Sequence, residues 1–368
     1  VTTDIATKGG QFDVMTIGTY EVPIWGKQGW LVSLNDLPAS YDVDDILPAI
    51  RGGLTIDGEL YAAPFYGESS MVMYRKDLMA KAGLEMPDAP TWDFIGKAAR
   101  AMTDKENEVY GVCLRGKAGW GENMAFLTAT SNSFGARWFD ENWVPQFDSE
   151  AWKNTLNFYL DLMHDAGPPG ASSNGFNENL SLFQTGKCGM WIDATVAASF
   201  VTNPADSTVA DKVGFALAPD NGLGKRGNWL WAWTLAIPAG TQKEEAAKKF
   251  IAWATSKEDL ELVAEKEGWA NVPPGTRTSL YENPEYQKIL FAKMTLDSIN
   301  SADPTKPTVD PVPYVGVQFV AMPEFQGMAT AVGQQFAAAL AGNISVDQAL
   351  QNAQALTERT MKKAGYPK

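Results

Sequence analysis

Apolar and polar residues alternate most cleanly over 228–238, N-W-L-W-A-W-T-L-A-I-P, where Trp229, Trp231 and Trp233 take every second position. That is the period of an extended strand, so the three indoles are expected to form a ladder on one face. Further strands are expected over 12–17, 71–74, 110–114 and 188–192, with a hairpin over 54–66 turning at Asp57-Gly58. Helical spacing appears elsewhere. Thr91 is placed to cap a helix over 92–102, and Trp152, Leu156, Leu160 and Met163 share one helical face. Thr241-x-x-Glu244 reads as a capping box ahead of a core stripe of Ala246, Ala247, Phe250, Ile251 and Ala254. Ser345-x-x-Gln348 opens a last helix with Val346, Ala349, Leu350, Ala353 and Leu356 inward. Two stretches break the periodicity: Gly67-Glu68-Ser69-Ser70, inside a hydrophobic strand, and the proline-rich 302–313. Both are candidate crossings between domains.

The chain has 368 residues, more than one core normally serves, so two domains are expected. Its formal charge of −14 argues against nucleic acid or an anionic membrane as partner. No apolar run approaches a membrane span, and no signal-peptide pattern opens the chain, which reads as a mature, trimmed or engineered form. Thirteen tryptophans are an excess that points to ring-stacking surfaces more than to core filling. Cys113 and Cys188 fit no metal spacing and read as buried thiols, a disulfide being the alternative. His164 is the single histidine, which removes zinc sites and Ser-His-Asp triads from consideration. No cofactor is called for.

Chemistry concentrates in a few places. Arg115, Trp120, Glu122 and Asn123 lie in a glycine-rich loop (Gly116, Gly119, Gly121) rich in hydrogen-bond donors, but the spacing is no phosphate-binding fingerprint. Asp193 follows the strand over 188–192; such a residue often only caps the next helix, yet it also faces the mouth that strand ends line in open α/β sheets.

The order of short motifs resembles the extracellular solute-binding proteins of ABC sugar importers, the family that includes maltose-binding proteins. The carrying residues are Gly9-Gly10-Gln11-Phe12-Asp13-Val14, Met73-Tyr74-Arg75-Lys76-Asp77-Leu78 with Ala82-Gly83, and Pro90-Thr91-Trp92. Phe183-Gln184-Thr185-Gly186-Lys187, Trp233-Thr234-Leu235-Ala236-Ile237, Pro274-Gly275-Thr276-Arg277 and Gly365-Tyr366 continue the set across nearly the whole chain. The stretch from Tyr110 to Gly116, with Gly119, Gly121 and Asn123, is most similar to the family's sorbitol/mannitol-binding subgroup.

The resemblance implies a two-lobed, periplasmic-binding-protein-like α/β fold with crossover hinge strands. It places one lobe at 1–66 plus 234–308 and the other at 67–233 plus 309–368, with hinges near 65–70, 230–234 and 308–314. Family members open with a strand, a helix and a strand before the segment matching 1–13, so the first lobe is expected to be incomplete. The function implied is capture of a polyol or related sugar between the lobes by a periplasmic monomer, followed by delivery to a membrane permease. Polar contacts are expected from Arg115, Asp193 and Glu68, stacking from Trp120, Trp231 and Trp233, and closure from Tyr20. Glu21, Glu122, Asn123, Arg277 and Phe325 form a second rank. Two rival readings remain: a glycoside hydrolase pairing Glu68 with Asp193 or Glu122, and a carbohydrate-binding module without transport.

Overall fold

The computed structural model describes residues 1–367. Its eight strands are β1 (Met15–Gly18), β2 (Thr55–Ile56), β3 (Glu59–Leu60), β4 (Ala63–Glu68), β5 (Ser70–Arg75), β6 (Met190–Ala194), β7 (Val213–Leu217) and β8 (Trp231–Ala236). The chain folds into two compact units, one of residues 1–69 with 230–300 and the other of residues 70–229 with 301–368. Among the described residues no helix is long and apolar enough to cross a membrane.

In the first unit β8 is the central strand of three, antiparallel to β1 on one side and β4 on the other. Thr234 is fully buried, and its hydroxyl donates to the Ile17 carbonyl, which fixes the β1 register. The separate hairpin β2–β3 turns at Asp57-Gly58, both in the left-handed region (φ 51° and 84°), as a tight two-residue turn demands.

The second unit is built on the antiparallel sheet β6-β5-β7. Thr91 caps the helix Trp92–Met102 by accepting from the Phe94 amide. Trp152, Leu156, Leu160 and Met163 are buried along the helix Glu150–Ala166, as their spacing requires. Ser345 accepts from the Gln348 amide to open the helix Val346–Lys363.

Several expectations need correction. Residues 110–114 form no strand; only Tyr110 and Cys113 make isolated bridges, to Cys188 and Trp191. Cys113 and Cys188 are a disulfide, with Cα atoms 5.9 Å apart, not free thiols. The box at Thr241 does not close, because the Thr241 hydroxyl is engaged by the Asp13 carboxylate and Lys243 precedes the helix Glu244–Ala254. On that helix Phe250 is about half exposed and Ala246 is exposed as well, so the buried stripe is narrower than the spacing predicts. Part of the tryptophan excess does fill cores: Trp92, Trp138, Trp152 and Trp191 are fully buried. Trp138, Trp152, Phe147 and Phe336 form one tilted and edge-to-face cluster with centroids 4.8–6.5 Å apart.

Candidate functional site

The second unit holds a buried charge centre. Arg115 sits at 9% exposure and Asp193 at 0%. The guanidinium engages Asp193 bidentately, Nε donating to Oδ2 at 2.9 Å and Nη2 to Oδ1 at 2.6 Å. Planar forks of this kind combine charge with fixed geometry. The carboxylate is held from the other side by the Trp191 indole N–H (3.1 Å) and by the Ala194 amide (2.7 Å). Asp193 is therefore not a helix cap: it lies within β6, opposite Met71 of β5.

Local structure explains why Arg115 stays in place. Its carbonyl accepts from the hydroxyl of Tyr159, whose burial pushes the phenol well above its ordinary pKa. Its Nη1 donates to the Gly121 carbonyl at 2.7 Å and stands 3.5 Å from a Glu122 carboxylate oxygen. Two aromatic rings lie against the guanidinium, Phe176 at 5.4 Å and Trp229 at 5.3 Å. A cation so placed is stabilised by the negative faces of the rings.

The glycine-rich loop is bolted to the helix Phe325–Leu340. Asn123 uses both ends of its amide, accepting from the Gly119 N–H and donating to the Gly333 carbonyl. The Trp120 amide donates to the Thr330 hydroxyl, so the half-buried ring of Trp120 is carried on a braced turn. A Cβ at Gly333 would meet Asn123 Oδ1 at 2.5 Å, so only glycine permits this approach. Glu122 accepts from the Phe176 amide and thereby ties the loop to the start of the helix Phe176–Gln184. Phe325 is fully buried with its ring 5.1 Å from that of Trp138, which is a packing position of this unit.

In the first unit the indoles of Trp231 and Trp233 meet edge to face, centroids 5.5 Å apart. Trp231 pairs across the sheet with Glu68, and Trp233 with Tyr66 and Gly18. A Cβ at Gly18 would come within 1.8 Å of the Trp231 ring, so glycine there makes room for the indole. Burial pushes the Tyr66 phenol well above its ordinary value, and the Glu68 charge adds to that, while its hydrogen bond with Trp233 pulls the other way. Tyr20 is buried at the start of the helix Glu21–Lys27, and Glu21 accepts from the Gly18 amide at 3.0 Å. The Arg277 guanidinium is engaged in structure, lying on the Tyr41 ring and bonded to the Thr255 and Asp42 carbonyls and to Asp45.

The expected three-rung ladder is two rungs. β8 begins only at Trp231, and Trp229 lies in the other unit against Arg115. Neither Phe176 nor Trp191, both at this centre, stands out in the sequence. Nothing in the local sequence distinguishes them from core aromatics; their place is visible only once β6 and the 115–123 loop are brought together.

A model of the bacterial extracellular solute-binding proteins matches residues 1–261, and the chain belongs to that family. The mannitol-binding protein of Pseudomonas aeruginosa is 55% identical over all 368 residues, which span 84% of its length. A solute-binding protein of an ABC transporter from Agrobacterium vitis S4, solved with bound D-mannitol, is 77% identical with a TM-score of 0.97, over 100% of this chain and 89% of that one. Another, from Agrobacterium radiobacter K84 in complex with ribitol, is 25% identical with a TM-score of 0.84, over 97% of this chain and 87% of that one. The fold is thus the α/β fold of the two-lobed periplasmic solute-binding proteins. Family membership makes the chain a binding protein rather than an enzyme, and sets the hydrolase alternative aside.

Proposed function

We propose that this chain captures an acyclic polyol of the mannitol type in the periplasm and delivers it unchanged, as a monomer, to the membrane permease of an ABC importer. The observation that carries this reading is 77% identity, over the whole chain, to a protein solved with D-mannitol bound. The chemistry of the charge centre supports it. A hexitol is neutral and offers a row of hydroxyls, each able to donate and accept. The bidentate pairing with buried Asp193 fixes the Arg115 guanidinium in one orientation and neutralises it, which suits the hydroxyls of a neutral ligand better than a lone charge does. Trp120, Trp231 and Trp233 are proposed to take the C–H surface of the carbon chain, with Glu68 and Tyr20 as further polar contacts. Glu122 and Asn123 act on the ligand through the loop they hold.

Isothermal titration calorimetry tests the assignment. D-Mannitol or D-sorbitol is expected to bind with micromolar or tighter affinity, and binding of a disaccharide with neither hexitol bound would overturn it. Trp231→Ala is expected to weaken hexitol binding by more than about tenfold, the loss of one well-packed ring. Its far-UV circular dichroism should match the parent, and unaltered affinity would remove Trp231 from the site.

A further inference from the structure

We infer that Asp193 and Glu122 make the Arg115 centre discriminate by charge, admitting a neutral polyol and rejecting its acid and phosphate derivatives. The inference rests on the polyol reading above and adds what the site turns away. An arginine alone in a buried pocket is a strong receptor for carboxylate or phosphate, because its fork matches their oxygens. Here that receptor is already filled. Asp193 occupies Nε and Nη2, is fully buried, and is fixed by the Trp191 and Ala194 donors, so an incoming anion cannot displace it without stranding a buried charge.

The groups around the centre add to the effect. Glu122 stands 3.5 Å from Nη1. Glu178, at the start of the neighbouring helix, accepts from the Gly175 amide and has Lys117 at 3.9 Å. Among these ion pairs two cations meet three carboxylates, an excess of one negative charge, with Arg115–Asp193 buried, Glu122 about a third exposed and Lys117–Glu178 about half exposed. The Phe176 and Trp229 rings contribute no cationic compensation. Hydroxyls can share hydrogen bonds with such a network at no net charge, whereas a hexonate brings repulsion and loses its hydration. Selectivity of this kind is built by repulsion as much as by attraction.

The test is calorimetry with D-mannitol, D-mannonate (the same carbon chain with a terminal carboxylate) and D-mannitol 1-phosphate. The parent protein is expected to bind both anions at least about a hundredfold more weakly than mannitol. Asp193→Asn keeps the shape and an acceptor but removes the charge, and should narrow the mannitol-to-mannonate ratio at least about tenfold. Glu122→Gln, at a partly exposed position, should narrow it about threefold, and decides alone if Asp193→Asn does not fold. Narrowing in either variant supports the inference. Parent binding of mannonate within about tenfold of mannitol overturns it, as does an unchanged ratio in every variant that folds. Failure of the parent to bind mannitol would instead defeat the polyol reading.

Discussion

Replacing Asp193 with alanine is expected to weaken hexitol binding by more than about tenfold and to lower the unfolding free energy by about 3–5 kcal/mol. The two losses share one cause. Asp193 is fully buried and takes both donors of the Arg115 fork, so its removal leaves a guanidinium at 9% exposure without its bidentate carboxylate. The Trp191 indole and the Ala194 amide lose the same acceptor. A control separates stability from binding. The double variant Arg115→Met/Asp193→Leu replaces the pair with apolar side chains and should recover most of the stability, since such exchanges are often neutral. It should not recover hexitol binding. Urea unfolding and calorimetry read the two effects; a single variant as stable as the parent would contradict the buried-pair account.

The second large effect is expected from the disulfide. Cys113→Ala/Cys188→Ala should lower the unfolding free energy by about 4 kcal/mol, the chain-entropy value for so long a loop. The residues are 75 positions apart, both fully buried, and the bridge joins the 110–113 segment to the start of β6. Arg115 lies two residues beyond one cysteine and Asp193 five beyond the other, so the crosslink ties together the two segments that carry the pair. A urea midpoint equal to that of the parent would show that the crosslink contributes nothing to stability.

What the sequence displayed well was local. The cap at Thr91, the stripe from Trp152 to Met163 and the turn at Asp57-Gly58 are set by neighbours within a turn or two, and each forms as expected. The hairpin itself covers only 55–60 of the expected 54–66, because 63–68 pairs with β8 instead. What it concealed depends on partners far along the chain. The Thr241 hydroxyl finds Asp13, 228 positions away, instead of its own helix. For Asp193 the sequence leaves a helix cap open beside a site role, because the apolar run ends at Ile192; pairing with Met71 extends β6 to Ala194 and removes the cap. Trp229 kept the alternation of Trp231 and Trp233, yet the chain passes from one unit to the other between Trp229 and Leu230, and periodicity does not mark that change. Arg115 and Asp193 were each singled out, one for a glycine-rich loop and one for a strand end. Only the fold shows that they are a pair.

The account turns on that pair holding a neutral polyol. A crystal structure of the protein grown with D-mannitol tests it most directly. The account predicts ligand density with hydroxyls within hydrogen-bond distance of the Arg115 guanidinium, which Asp193 holds from behind; mannitol bound elsewhere, with Arg115 out of its reach, would contradict it.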